Sequence, residues 1–172
     1  MQSSDLQIRD ASPEDSAAIT AIYAHHVLHG TASYDTEPPS EAETRCKIDR
    51  ITSSGWPFLV AMIDGEVAAY AYVTQLRDRA AYRFTCENSI YVRHDLTGRG
   101  IGRRLLETLC ERSAAIGFRQ MIAVIGGAEP ASIALHQALG FEEVGRLRSV
   151  GWKKERWLDT VYMQRELAAP DI

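Results

Sequence analysis

Apolar and polar positions along this chain follow two periods, and the switches between them mark its elements. Leu6 to Asp10 alternates and predicts a short strand. Ser12-Pro13-Glu14-Asp15 then opens a helix, with a hydroxyl at the N-cap, proline in the first turn and acids near the positive helix end. Ile19, Ile22, Tyr23 and Val27 give that helix one apolar face. Thr31 to Pro39 breaks the pattern and is a loop. Ser40 with Glu43 forms a capping box for a second helix, running toward Thr52. Phe58 to Ile63 and Val67 to Gln75 are strands joined at Asp64-Gly65, a two-residue hairpin signal. An arginine-rich loop, Leu76 to Tyr82, leads to a strand from Phe84 to Val92. Next comes a helix from about Gly102 to Ile116, stopped by Gly117. Gln120 to Ile125 is a strand, Pro130 to Leu139 a helix ended by Gly140. Glu142 to Val150 and Trp157 to Arg165 close the chain as strands.

This order is β-α-α-β-β-β-α-β-α-β-β. The hairpin makes the early strands antiparallel. The strand–helix–strand unit from Phe84 to Ile125 needs a crossover and is parallel. The fold class is therefore α+β: a mixed, mostly antiparallel sheet with one parallel pair and helices on both faces. At 172 residues, with no repeat and no linker-like composition shift, the chain fits one domain.

Charge changes the picture in one respect. A net charge of −4 gives no general attraction to nucleic acid or to an anionic membrane, so an anionic ligand must be held by a local feature. No apolar run approaches the roughly 20 residues of a membrane span. Met1 to Asp10 lacks the pattern of a secretory signal, and Cys46, Cys86 and Cys110 are an odd number without metal-like spacing. A cytoplasmic protein with reduced thiols is the expectation.

The local feature is Gly98-Arg99-Gly100-Ile101-Gly102, between a strand and a helix. Glycines admit close backbone approach, and the first-turn amides of the helix are unpaired and partly positive. Together they suit phosphate oxygens, with Arg99, Arg103 and Arg104 adding charge. A plain connecting turn would look similar. The phosphate loop of ATPases does not fit, since Gly-x4-Gly-Lys-Ser/Thr is missing. A dinucleotide site would want an acid at the end of the next strand, where Gly126-Gly127 stands.

Wider context narrows the ligand. Ile90-Tyr91-Val92, then Gly98 to Gly102 and Leu105-Leu106, resembles the acetyl-CoA motif of the GNAT superfamily of N-acetyltransferases. Ser132-Ile133-Ala134-Leu135-His136 with Gly140-Phe141 resembles that superfamily's next motif. Further markers are similar to the phosphinothricin and methionine sulfoximine acetyltransferase family. They are Thr31-Ala32-Ser33-Tyr34, Arg77-x-Arg79-x-x-Tyr82, Glu87-Asn88-Ser89-Ile90-Tyr91-Val92, Val150-Gly151-Trp152-Lys153 and Trp157-Leu158-Asp159. Two positions depart from the superfamily. Thr97 replaces a usual glutamine or arginine. Glu129 replaces an asparagine that contacts the pantetheine arm, and an ionised glutamate cannot donate there.

The resemblance implies direct acetyl transfer from acetyl-CoA to an amine, without a metal. It implies that Ile90 to Val92, Gly98 to Arg103 and Glu129 surround the acetyl-CoA. Glu87 is the expected general base, with a backbone amide near Tyr91 or Val92 as oxyanion donor. His136 stands where relatives carry a proton-donating tyrosine and would need a raised pKa to serve. Arg77 and Arg79 suit a carboxylate or phosphinate through fork geometry, with Tyr34, Tyr82, Asn88 and Ser89 around the substrate. A homodimer, formed through the C-terminal part, is also implied. The expected substrate is the α-amino group of a small glutamate-like amino acid. A peptide N-terminus or a polyamine is the enzymatic alternative, and a non-catalytic acyl-CoA sensor the alternative of another class.

Other features carry bland readings. His25, His26 and His29 lack a third-ligand pattern for metal. Cys86 is expected to pack. Trp56, Trp152 and Trp157 are expected in the core, or else in the pocket or at a dimer face.

Overall fold

A computed structural model describes residues 6–167. The strands are β1 (Gln7–Asp10), β2 (Phe58–Ile63), β3 (Glu66–Gln75), β4 (Thr85–Val92), β5 (Gln120–Gly126), β6 (Glu142–Lys153) and β7 (Arg156–Glu166). The helices are α1 (Ser16–His29), α2 (Glu41–Ser53), α3 (Ile101–Ala115) and α4 (Pro130–Ala138). Among the described residues the strands form one sheet in the order β1-β2-β3-β4-β5-β7-β6. Only β4 and β5 run parallel; every other neighbouring pair is antiparallel. This is the mixed sheet that the order of elements predicts.

Alternation along β2 explains how the sheet takes helices on both faces. Phe58 and Val60 point one way, with Tyr70 of β3, and pack on Ile19 and Ile22 of α1 and Ile48 and Ile51 of α2. Leu59 and Ala61 point the other way, with Ala69 and Ala71, onto Leu105, Leu106 and Leu109 of α3. The alanines of β3 let α3 approach the sheet closely. Cys86 and Cys110 belong to the α3-side core, where burial pushes their thiols up to about 12 and about 11. Both are buried in that packing, as expected of Cys86. No helix among the described residues is long and apolar enough to cross a membrane.

Three local expectations change. The first helix begins as a 3-10 turn, Pro13–Asp15, before α1. Asp15 is the reason: its carboxylate accepts the Ser12 backbone N–H at 2.8 Å and a two-pronged Arg9 guanidinium at 2.8 Å. That pairing holds the Asp15 carboxyl below its usual range despite its burial. Further along, β6 continues past Val150. Ser149 has φ +53° at a register shift between Leu147 and Gly151, and the strand pairs again to Lys153. Lys154 and Glu155, at φ +52° and +57°, make the tight turn into β7. Finally, Trp152 and Trp157 are not in the core. They lie 57% and 64% exposed on the outer β6–β7 hairpin, rings 5.0 Å apart, because β6 is the outermost strand of the sheet among the described residues. Trp56 alone keeps the expected packing, against Phe118.

Candidate active site

The site starts where the parallel pair comes apart. Strands β4 and β5 pair from Thr85↔Gln120 to Asn88↔Ala123, and then each continues alone. On its other edge β4 stays paired with β3 through Ala69↔Val92, and Arg93 N–H donates to the Ala68 carbonyl at 2.8 Å. Antiparallel strands alternate which residues face the partner. Arg93, Tyr91 and Ser89 therefore present their backbone groups to β3. Ile90 and Val92 present theirs to the gap. Of the two amides expected as oxyanion donor, the Val92 N–H faces the gap and the Tyr91 N–H does not.

The fork is fastened at its root. Asn88 is buried at the last paired position, and its side-chain N–H donates to the Ile122 carbonyl across the gap at 3.3 Å. His136 of α4 clamps it. Its Nε2 lies 3.2 Å from Asn88 Oδ1, and its Nδ1 lies 2.8 Å from the Ser132 carbonyl. A neutral ring carries a single N–H, which donates to one of these two oxygens; the ring is 2% exposed, and Phe141 packs edge-on against it. The raised pKa that a proton donor needs is contradicted: burial lowers it, only partly offset by the Ser132 carbonyl. The ring that the sequence offers as a proton donor thus lies buried between Ser132, Asn88 and Phe141.

Two cavities open on either side of the parted strands. The larger, about 730 Å³, is lined by Val92, Thr97, Gly98, Gly100, Ile101, Gly102, Arg103 and Glu129. Gly98 and Gly100 have φ +76° and +77°, a region that side-chain-bearing residues rarely adopt. Gly100 is the N-cap of α3, and the first helical bond runs from Arg104 N–H to its carbonyl. The amides before Arg104 are left without helical partners at the positive end of the helix. Glu129 caps α4 on the opposite wall. Arg99 and Arg104 are exposed and stand outside the lining.

The smaller cavity, about 390 Å³, is lined by Tyr23, Tyr34, Asp35, Lys47, Tyr72, Glu87, Asn88, Ser89 and His136, among others. Ala32, Ile90, Tyr91 and Ser132 line both cavities, so the two meet along the free end of β4. Glu87 is half-buried there. Burial raises its carboxyl pKa above the ordinary range, and the Arg77 guanidinium partly opposes this. The Tyr23 hydroxyl donates to Asp35 and lies 2.7 Å from Ser33 Oγ.

The 31–39 loop roofs this junction, and distant sequence markers meet in fixing it. The Tyr34 hydroxyl donates to the Asp159 carbonyl at 2.9 Å and accepts from Gly127 N–H at 3.2 Å. Lys153, 7% exposed, donates to the Ser33 carbonyl at 2.6 Å. Gly151 lies under the Tyr34 ring so closely that a Cβ would stand 2.7 Å from it. That contact explains a glycine in a strand.

The other expected substrate residues lie elsewhere. Arg77, Arg79 and Tyr82 are exposed, and none lines either cavity. A 3-10 turn, Ala80–Tyr82, tethers their loop, with Gln75 donating to the Arg77 and Arg79 carbonyls. Sequence reasoning missed Lys47, Tyr72 and Asp35. Lys47 and Tyr72 sit in ordinary helix and strand patterns, so only the packing of α2 over β3 reveals them. His25 stacks face to face on His94, centroids 3.7 Å apart, so these rings do not converge on a common ion.

Comparison with known proteins agrees with this geometry. Residues 8–162 match the model of the Acetyltransferase (GNAT) domain. A phosphinothricin N-acetyltransferase of Alcaligenes faecalis is 48% identical, covering 95% of this chain and 84% of its own. An L-methionine sulfoximine/L-methionine sulfone acetyltransferase of Pseudomonas aeruginosa is 42% identical, covering 93% of this chain and 94% of its own. A solved GNAT superfamily phosphinothricin acetyltransferase from Sinorhizobium meliloti, in complex with AcCoA, superposes with a TM-score of 0.93. It is 51% identical, covering 95% of this chain and 89% of its own.

One prediction follows from the roof. Gly151→Ala drives a methyl into the Tyr34 ring and destabilises the fold by about 1–3 kcal/mol in chemical denaturation. Gly145→Ala, on the same strand but with open space around it, changes stability by less than about 1 kcal/mol. Equal stability of the two variants contradicts the packed roof.

Proposed function

This chain belongs to the GNAT acetyltransferase family, and from that premise we propose that it transfers the acetyl group of acetyl-CoA to the α-amino group of a small glutamate-like amino acid. The observation that carries this reading is the meeting of the two cavities along Ile90 and Tyr91, with Glu87 on the wall of the smaller. The larger cavity suits the CoA. Its αL glycines and the free amides of α3 fit a pyrophosphate. The gap beside β4 leaves the Ile90 backbone groups and the Val92 N–H to hydrogen-bond the pantetheine arm and the thioester carbonyl, while the Val92 carbonyl is met by His26 Nε2 at 2.8 Å.

The residues then divide the work. Glu87 takes the proton from the substrate ammonium, and its raised pKa makes it a better base near neutrality than an ordinary glutamate. An amide of Ile90 or Val92 donates to the carbonyl oxygen as negative charge grows on it, at no cost in rearrangement, because β3 holds the strand rigid. His136 keeps Asn88 and the fork in place. As the tetrahedral intermediate collapses, the attacking nitrogen gives up its second proton, which passes through water in the open cleft to the leaving thiolate, a group with an ordinary thiol pKa of about 8.5. Phosphinothricin and methionine sulfoximine are the substrates that the relatives' names suggest. A pocket wall with a desolvated carboxylate supports catalysis over a CoA sensor.

We also propose a two-fold dimer. Val144, Leu147, Val150, Trp152 and Trp157 are exposed large apolar side chains of the outer β6–β7 hairpin, and a second copy of the chain would cover them.

Glu87→Gln is expected to bind acetyl-CoA as wild type in titration calorimetry and to lose about 10²- to 10⁴-fold in turnover. Turnover that stays at the wild-type level across the pH range removes Glu87 from the mechanism. A base must be deprotonated, so activity falls as pH drops through the Glu87 pKa. Its acidic limb therefore lies above the ordinary glutamate range. Arg77 lowers that pKa, so Arg77→Ala moves the limb to higher pH; a limb moved to lower pH contradicts the assignment. In light scattering the wild-type chain has twice the mass of its 19.1 kDa monomer. Trp152→Arg with Trp157→Arg shifts it toward the monomer. A monomeric wild type refutes the dimer.

A further inference from the structure

The smaller cavity has one lysine or arginine among its lining residues, and that residue is Lys47 of α2. Its ammonium lies 5.8 Å from the centre of the Tyr23 ring and 5.5 Å from that of Tyr72. The ring faces attract the cation and restrict where it sits. None of the ion pairs among the described residues includes it. Asp35, the acid on the same wall, is exposed and accepts the Tyr23 hydroxyl. A lysine on a helix surface normally extends into solvent. This one is half-buried, with its stem turned over two tyrosines and its charge left for something in the cavity.

Its place relative to Glu87 decides what that something is. Lys47 enters the cavity from α2 against the Tyr72 ring of β3, whereas Glu87 enters it from β4. Tyr72 pairs with Ser89, and Glu87 lies two residues further along the same face of β4, beside Thr74. A substrate with its amine at Glu87 thus has its far end toward Tyr72 and α2. We propose that Lys47 reads the acidic terminus of the substrate side chain and sets the preference for anionic over neutral amino acids. This rests on the acetyl-transfer reading above. It also transfers to α2 a task that the sequence assigned to Arg77 and Arg79, which do not line this cavity.

Two amino acids separate the outcomes. Phosphinothricin carries an anionic phosphinate at the end of a two-carbon side chain. Methionine sulfone carries a neutral sulfone at the same place. Lys47→Met keeps the apolar stem and removes the charge. A lost charge-assisted hydrogen bond raises KM for phosphinothricin by about 10- to 100-fold. The KM for methionine sulfone moves at least tenfold less, and Lys47→Arg recovers most of the loss. Equal shifts on the two substrates, or no shift on either, overturn the proposal. Calorimetric titration of phosphinothricin into the CoA-loaded wild type and Lys47→Met reads the same contact without turnover. A tenfold loss of affinity supports Lys47, and equal affinity overturns it. Wild-type protein that acetylates neither compound refutes the acetyl-transfer reading separately, whatever the titration gives.

Discussion

Strands β4 and β5 share four paired positions and then separate, and most of what this molecule does depends on that separation. A parallel pair that continued would satisfy the backbone of Ile90 and Val92 within the sheet and leave nothing for a ligand. Separation alone would expose two floppy edges. The structure avoids this by keeping β4 fully paired with β3 and β5 paired with β7 from Gln120 to Gly126. Each parted strand is rigid from its outer side and open on its inner side. The cost of opening is taken at one point, where Asn88 bridges to Ile122 and is itself held by His136. That is why a buried polar pair sits in an otherwise apolar region: its hydrogen bonds finish a ladder that the strands abandon.

Charge is distributed along the gap by the same geometry. On the α3 side the helix offers unpaired amides and αL glycines, which favour phosphate oxygens without any contribution from the overall negative charge of the chain. On the α1–α2 side the walls are tyrosines, and the charged groups are few: Glu87, Asp35 and Lys47. Burial lifts the Glu87 carboxyl and lowers the His136 imidazole, so the two groups first considered for proton transfer diverge. Both shifts favour Glu87 over His136 in the proton-transfer role proposed above.

The roof over the junction comes from far along the chain. Tyr34 and Ser33 are tied down by Asp159, Lys153 and the bare backbone of Gly151, residues more than a hundred positions away. Lys154 adds a bond to the His29 carbonyl at the end of α1. The β6–β7 hairpin therefore serves two purposes: its inner side secures the loop, while its outer side carries the exposed tryptophans. Contact of one hairpin with both an apolar surface and the 31–39 loop is a consequence of the topology, since β7 is inserted between β5 and β6.

Much of this was legible without coordinates. Periodicity, the Asp64-Gly65 turn, the Ser40–Glu43 box and the glycines after α3 and α4 are local signals, because they depend on how neighbouring residues bend the backbone. They determined the elements, the mixed sheet and the helix start that suits phosphate. The resemblance of Glu87-Asn88-Ser89-Ile90-Tyr91-Val92 to a family motif added Glu87. What remained hidden was set by contacts between elements. Whether His136 carries a proton depends on its burial beneath α4, which its own helix does not encode. Whether Arg77 and Arg79 or Lys47 faces the substrate depends on how the β3–β4 loop and α2 lie over the sheet. Where the tryptophans go depends on which strand ends at an edge. Sequence alone determined the backbone that can hold an acetyl donor. Only tertiary packing decided which charges look into the cavity, because charge acts through distance and burial, and both belong to the folded chain.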